Sequence, residues 1–269
     1  MVATRHGPMF ALAGDAYITR SLQLYGEYGH DEADLFRQVV KPGMTVVEAG
    51  ANIGTHTVVL ARACFPGPLL AFEPQQRVFQ ILCANLVMNQ VANALAYPDA
   101  VGAAAGTAAI AKLDYGSAYN FGSVGVRKTE AASNPDWADG QPTRVVAIDD
   151  LALPACGFLK IDVEGFEAEV LEGARGTIAR RRPALYVEND RASQQAPLIA
   201  LIDSMGYAQY WHVAPLFSRE NFNGASKDVF SGAVSLNMFC VPKESALSIS
   251  GFERIDPKNW RSPVGPIPD

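Results

Sequence analysis

Residues 45–57 read Thr-Val-Val-Glu-Ala-Gly-Ala-Asn-Ile-Gly-Thr-His-Thr. An apolar run passes through a small-residue turn into an amphipathic stretch, the pattern of a buried strand, a tight loop and a helix start. Gly50 and Gly54 let the backbone approach a ligand with no Cβ in the way. The unpaired N–H groups of the helix start point at the same place. Glu48 ends the strand, where open α/β sheets bind ligands, and Asn52 and His56 flank the turn. The chemistry this suggests is cofactor binding, against the alternative of a plain strand-to-helix turn. A dinucleotide fingerprint is disfavoured, because Asn52 stands where G-x-G-x-x-G needs its middle glycine and the third is missing. A P-loop is excluded, since no Gly-Lys-Ser/Thr follows.

Further acids fall at the ends of later apolar runs. Glu73 follows Leu69-Leu70-Ala71-Phe72, 25 residues after Glu48. A carboxylate there can accept from both hydroxyls of a ribose, or it can cap the next helix. Asp99 and Ala100 close a third run, where a residue would meet an adenine edge or simply make a turn. The stretch Phe158-Leu159-Lys160-Ile161-Asp162-Val163-Glu164-Gly165-Phe166-Glu167 puts Asp162 and Glu164 at the mouth of a fourth strand, and Glu188-Asn189-Asp190 closes a fifth.

The acid-x-Gly-x-Asn-x-Gly spacing looks like the first motif of class I methyltransferases, which bind S-adenosylmethionine. Glu-Ala-Gly-Ala-Asn-Ile-Gly, Phe-Glu-Pro and Leu-Lys-Ile-Asp-Val-Glu-Gly-Phe-Glu, then Val170-Leu171-Glu172-Gly173-Ala174, resemble in order the FkbM-type family of such enzymes. That family often has Asp where Glu48 stands. The resemblance covers roughly residues 22–189 and more loosely 211–242. It implies a class I fold and methyl transfer, usually to oxygen, often on a sugar or natural product. It makes Glu48, Gly50, Asn52, Gly54, His56, Glu73, Asp99, Ala100 and Asp162 the expected contacts to S-adenosylmethionine.

The acceptor side is read from Tyr210-Trp211-His212, Leu216-Phe217, Asn221-Phe222 and Asn237-Met238. Aromatic faces with a few amides suit a hydroxylated small molecule, so Trp211, Asn221 and Asn237 are candidate acceptor contacts; core aromatics beside a turn are the alternative. An alcohol acceptor must lose a proton, and the candidate catalytic groups are His212, Asp162, Glu164 and Glu188. Histidine titrates nearest neutral pH, which favours His212. His6 and His30 precede the fold, and His56 lies near the cofactor. Asp162, Glu188 and Asn189 offer hard oxygen ligands compatible with a divalent metal, but no fixed spacing calls for one and no metal is predicted. Glu164 could instead complement a helix dipole, and Asp162 could hold the first loop.

The elements that must position these groups alternate strand and helix. This predicts an α/β fold with a doubly wound, mostly parallel, Rossmann-like sheet of seven strands, the last antiparallel. Residues 1–43 form a cap, read as a short strand or turn, a loop, and a helix over 31–40 with Asp31 as its N-cap. Residues 44–242 are the class I domain. Pro74 is expected to open the second helix of that domain, Phe166 to Ile178 to lie on one helix, and residues 197–205 to form another. The stretch 102–142 breaks the rhythm and reads as hairpin strands with a mobile segment near 128–140, either a substrate cover or a tolerated insertion. Residues 243–269 are a surface extension.

The chain has 269 residues, a hydrophobic fraction of 49% and a net charge of −6. The acidic balance argues against a nucleic-acid partner. No apolar stretch is long enough to span a membrane, and residues 1–10 have no long apolar region of the secretory kind. Cys64, Cys83, Cys156 and Cys240 are widely separated and read as buried thiols in a reducing, cytoplasmic setting. Pairing as a homodimer is the default expectation. Competing readings are an N-methyltransferase, a non-catalytic nucleoside-binding module and a nicotinamide dehydrogenase. Asn134-Pro135-Asp136-Trp137 looks like an amine-methylating motif but lies in the insertion, away from a strand end.

Overall fold

The computed structural model describes residues 1–128, 140–247 and 249–265. Its elements in chain order are α1 (Ile18–Tyr25), α2 (His30–Val39), β1 (Val46–Ala49), α3 (Thr55–Cys64), β2 (Leu69–Phe72), α4 (Gln76–Met88), β3 (Ala94–Tyr97), β4 (Ala100–Val101), β5 (Gly106–Ile110), β6 (Val126–Lys128) and β7 (Gln141–Val146). They continue with β8 (Phe158–Ile161), α5 (Glu167–Gly173), α6 (Arg175–Arg181), β9 (Ala184–Glu188), α7 (Ala192–Ser204), β10 (Tyr207–Pro215), β11 (Val234–Pro242) and β12 (Glu253–Arg254).

The main sheet runs β12-β10-β11-β9-β8-β1-β2-β3. The strands from β9 to β3 are parallel, and β11 is antiparallel to both β9 and β10. Every residue of β1, β2 and β8 is buried, as in strands covered on both faces, and the two charges among them, Glu48 and Lys160, lie 3.8 Å apart. Val46 and Phe158 face the layer built with α2, α3 and α4, while Val47 and Leu159 face the layer built with α5, α6 and α7. Successive strands leave β1 in opposite directions, toward β2 on one side and β8 on the other. A crevice therefore opens at the strand ends beside β1.

Several expectations are corrected. The sheet has eight strands rather than seven, because the tail adds β12 at its edge: Arg254 pairs with Tyr210 and Glu253 with Trp211. Ile255 is buried and Trp260 meets Trp211 at 6.3 Å, so part of the extension joins the core. The segment before residue 30 holds a helix, α1, whose Ile18, Leu22 and Tyr25 are buried at helical spacing among intervening polar residues. Helix α2 starts after Gly29, at φ +64°, and Asp31 lies in its first turn rather than at its cap. Helix α4 starts at Gln76, two residues after Pro74, because Glu73 Oε1 accepts the Gln75 N–H at 2.8 Å and holds that segment extended. The expected single helix from Phe166 to Ile178 is two, α5 and α6, broken at Ala174. Cys83 is half-buried, unlike the other three thiols.

The insertion forms a second, four-stranded sheet ordered β4-β7-β5-β6. It approaches the main domain at Gly125, where an added Cβ would lie 2.4 Å from the Glu164 carbonyl oxygen. The segment expected to be mobile, and Asn134-Pro135-Asp136-Trp137 within it, fall largely outside the described residues. Among the described residues no helix is long and apolar enough to cross a membrane.

Candidate active site

The crevice is a cleft of about 890 Å³, part of it open to solvent. From β1 and its loop it is lined by Glu48, Gly50, Asn52 and His56, and from β2 by Phe72, Glu73 and Gln75. Asp99 and Ala100 close one end, while Lys160, Asp162, Glu164 and Glu188 close the other. The N-terminal cap adds Tyr28 and Glu32, and the second sheet adds Val124 and Val126. Most of the residues expected to meet the cofactor thus share one cavity; Gly54 sits just behind it as the N-cap of α3, at φ +92°.

The loop after β1 is built around close approach. Gly50 has φ +84°, and a Cβ there would lie 1.6 Å from the carbonyl oxygen of Asp162. Asn52 donates its backbone N–H to Glu73 Oε2 at 3.0 Å, while the other oxygen of Glu73 holds Gln75. Glu73 is buried, and that burial lifts its carboxyl to about 7 against the pull of the two N–H donors.

Glu48 is fully buried and neither of its oxygens has a hydrogen-bond partner. Burial pushes it up to about 7, opposed by Lys160, whose Nζ lies 3.8 Å away. Lys160 Nζ donates to Asp162 Oδ2 at 2.8 Å. Burial works against the ammonium, but Asp162 and Glu48 outweigh it and hold Lys160 charged. Glu164, at φ +58°, is raised to about 8 by burial and by Asp162 and Asp190, and its Oε2 accepts from Arg191 at 2.6 Å. Glu188 is raised well above the carboxylate range by burial and by Asp162 and Glu164. Asp162, Glu164 and Glu188 each bring an oxygen within 4.8 Å of the others, a spacing that could hold a cation, although Lys160 and Arg191 already compensate two of them. At the far end Asp99 Oδ1 accepts from Arg144 Nε at 2.8 Å, so this acid also ties β7 to the end of β3.

Four predicted residues are placed off the cleft wall. His212 is buried on β10 with Nδ1 2.7 Å from the Tyr186 hydroxyl, and burial lowers it to about 4, so it is neutral and lies behind Tyr186. Trp211 points to the opposite layer of the sheet. Asn221 donates to the Ser218 and Ala225 carbonyls of its own loop. Asn237 donates to Ser235 Oγ at 2.8 Å and to Glu32 at 3.4 Å. All four come from the strand pair and loop where hydrophobic alternation did not reveal which face meets the cleft.

Residues 48–208 match the methyltransferase FkbM domain. The chain belongs to the FkbM methyltransferase family. It is similar to the 31-O-demethyl-FK506 methyltransferase FkbM of Streptomyces tacrolimicus, 30% identical over 224 residues that cover 72% of this chain and 85% of that protein. Among solved structures it is similar in fold to the precorrin 8w decarboxylase from Methanobacterium thermoautotrophicum, with a TM-score of 0.50 at 10% identity, covering 87% of this chain and 99% of that one. The methyltransferase FkbM from Methylobacillus flagellatus KT aligns with a TM-score of 0.45 at 17% identity, over 78% of this chain and 50% of that one.

In this FkbM-family methyltransferase the cleft draws on residues outside the matched segment. Tyr28 and Glu32 precede residue 48 and still line the cavity. Sequence reasoning missed them, along with Lys160. Signals for two were present: Lys160 is a lone charge inside an apolar strand, and Glu32 is an acid four residues before the buried Phe36, on the inward stripe of its helix.

Proposed function

We propose that the protein transfers a methyl group from S-adenosylmethionine to a hydroxyl oxygen of a small molecule, a sugar or another natural product. The observation that carries this reading is the row of strand-end acids along one cleft: Asp99, Glu73, Glu48 and Asp162, in the spatial order of β3, β2, β1 and β8. The donor set suits that cofactor. Glu73 keeps two lone-pair sites after binding Asn52 and Gln75, enough for two ribose hydroxyls. Glu48 offers two buried oxygens that make no hydrogen bond and have Lys160 Nζ 3.8 Å away, and a donor group of a ligand would satisfy them. Gly50, Asn52 and Gly54 shape the loop, Asp99 and Ala100 would border the base, and His56 and Asp162 complete the wall. The acid-rich wall suits a ligand carrying sulfonium and ammonium charge.

When bound, S-adenosylmethionine supplies an activated methyl group on a positively charged sulfur. The protein's own task is mainly positioning, because an in-line displacement needs the acceptor oxygen held behind the methyl. Asp162, fixed by Lys160, and Glu164 and Glu188 border the acceptor side and can hydrogen-bond its hydroxyls. Tyr28, Val124 and Val126 cover the cleft and limit water there. The name of the Streptomyces tacrolimicus relative, an O-demethyl compound methyltransferase, supports oxygen over nitrogen. The acid-lined cleft and the net charge of −6 support a small molecule over a nucleic acid.

Calorimetric titration with S-adenosylmethionine, S-adenosylhomocysteine and NAD tests the cofactor. The first two are expected to bind, and absence of binding at millimolar concentration overturns the reading. A methyl-transfer screen over neutral sugars, phenols and amines, with and without EDTA, tests the acceptor. Methylation of amines alone would overturn the choice of oxygen.

A further inference from the structure

Glu32 is a buried carboxylate on the cleft wall with one oxygen clamped and the other free. It sits in the first turn of α2, 3% exposed. Oε1 accepts from the Tyr186 hydroxyl at 3.2 Å and from Asn237 Nδ2 at 3.4 Å. Oε2 has His56 Nε2 at 3.7 Å, beyond hydrogen-bond reach. The backbone is shaped around this oxygen: a Cβ on Gly29 would lie 2.6 Å from Glu32 Oε2 and 2.4 Å from His56 Nε2. Behind Oε1, the Tyr186 hydroxyl donates to Glu32 and lies 2.7 Å from His212 Nδ1. The chain His212–Tyr186–Glu32 therefore fixes a carboxylate that lines the cleft, with one oxygen hydrogen-bonded and the other beside His56.

We propose that Glu32 is the group that takes the proton from the acceptor hydroxyl, with Tyr186 and His212 as positioning residues behind it. This rests on the reading of a hydroxyl acceptor in this cleft. The acceptor O–H bond breaks, the proton moves to Glu32, and the O–H electron pair stays on the acceptor oxygen; with the cofactor loaded, that oxygen would bond to the methyl carbon as the methyl–sulfur bond breaks and its pair stays on sulfur, leaving a neutral thioether. The neighbouring acids are less suited. Asp162 is held by Lys160 and Glu164 by Arg191, while burial and the acids around it push Glu188 well above the carboxylate range. Glu32 is raised by burial to about 7, with Lys160 drawing it down, Asp162 and Asp31 pushing it up, and the Tyr186 bond drawing it down. Tyr28 and neutral His56 also face this region, from the turn before α2 and from α3. A base poised near the working pH is the efficient one.

The test uses the full chain with Glu32→Gln and Tyr186→Phe. Both are expected to bind S-adenosylhomocysteine within about threefold of wild type, which checks that they fold. Glu32→Gln should lower methyl transfer to a hydroxyl acceptor from the panel by about 10²- to 10⁴-fold. Tyr186→Phe removes a donor to the carboxylate, so the acidic limb of its turnover profile should move to higher pH. A purely structural role would lower the rate at every pH without moving that limb. Independently of turnover, the His212 ring ¹⁵N shifts of wild type should titrate with a midpoint near neutral pH and lose that step in Glu32→Gln. Glu32→Gln that binds S-adenosylhomocysteine and turns over within threefold of wild type overturns the proposal. So do wild-type His212 shifts that stay flat from pH 5 to 9. A wild type that binds S-adenosylhomocysteine yet methylates only amines overturns the acceptor reading, and with it this assignment.

Discussion

Lys160 Nζ lies 2.8 Å from Asp162 Oδ2, a buried ammonium tied to a carboxylate two residues along the same strand end. The same nitrogen is 3.8 Å from Glu48 on the adjacent strand, so one cation holds the acids of β1 and β8 in place.

Replacing Lys160 by Met is expected to destabilise the protein by about 3 kcal/mol at pH 8, the low end of the range for breaking a buried ion pair, because Asp162 is partly exposed. The loss should be smaller at pH 5, where Glu48, raised to about 7, is already protonated. Urea unfolding at the two pH values checks this, and an equal loss at both would refute it.

Glu73→Ala should weaken S-adenosylhomocysteine binding by about 10- to 100-fold, the worth of hydrogen bonds to a charged group. Part of the effect would come from the loop, since Asn52 and Gln75 lose the oxygens that hold them. Calorimetry on both proteins measures it, and unchanged affinity would remove Glu73 from the cofactor site.

Glu73 also makes a pH prediction. Its folded carboxyl sits at about 7, above the unfolded value near 4.5. Its stabilising contribution is therefore full below about pH 4.5 and is lost as pH rises through 7. Glu73→Gln does not titrate, so it should gain stability relative to wild type as pH rises from 4.5 to 7 and hold that gain above. The comparison must be between the two proteins, because buried His212 and half-buried His6, lowered to about 4, make both proteins more stable as pH rises from 4 to 6.5. A difference that does not change with pH would contradict the assignment.

Gly50→Ala should cost at least about 3 kcal/mol, from a left-handed backbone and a Cβ placed 1.6 Å from the Asp162 carbonyl oxygen. Gly43→Ala, also at positive φ but with open space around it, should cost less. Thermal unfolding of both variants separates clash from backbone strain, and equal losses would show that the contact with Asp162 is not limiting.

Much of this protein is legible along the chain. Residues 46–49, 69–72, 158–161 and 184–188 stand out because strands covered on both faces are largely apolar, and Glu48, Glu73 and Asp162 because they fall at or just past the end of such a run. What the chain does not reveal is which polar groups meet across long sequence distance. Glu32 and Tyr186 are 154 residues apart and share a hydrogen bond only because α2 packs on the sheet face that carries Tyr186, with Phe36 against the Tyr186 ring. His212, the one imidazole that titration chemistry singled out, ends up screened from the cleft by Tyr186, since β11 stands between its strand and β9. Periodicity and turn residues act within a few positions and so determine the strands, the loop and the acids at their ends. The wall opposite those acids is set by packing of distant elements, and only the tertiary structure decides it.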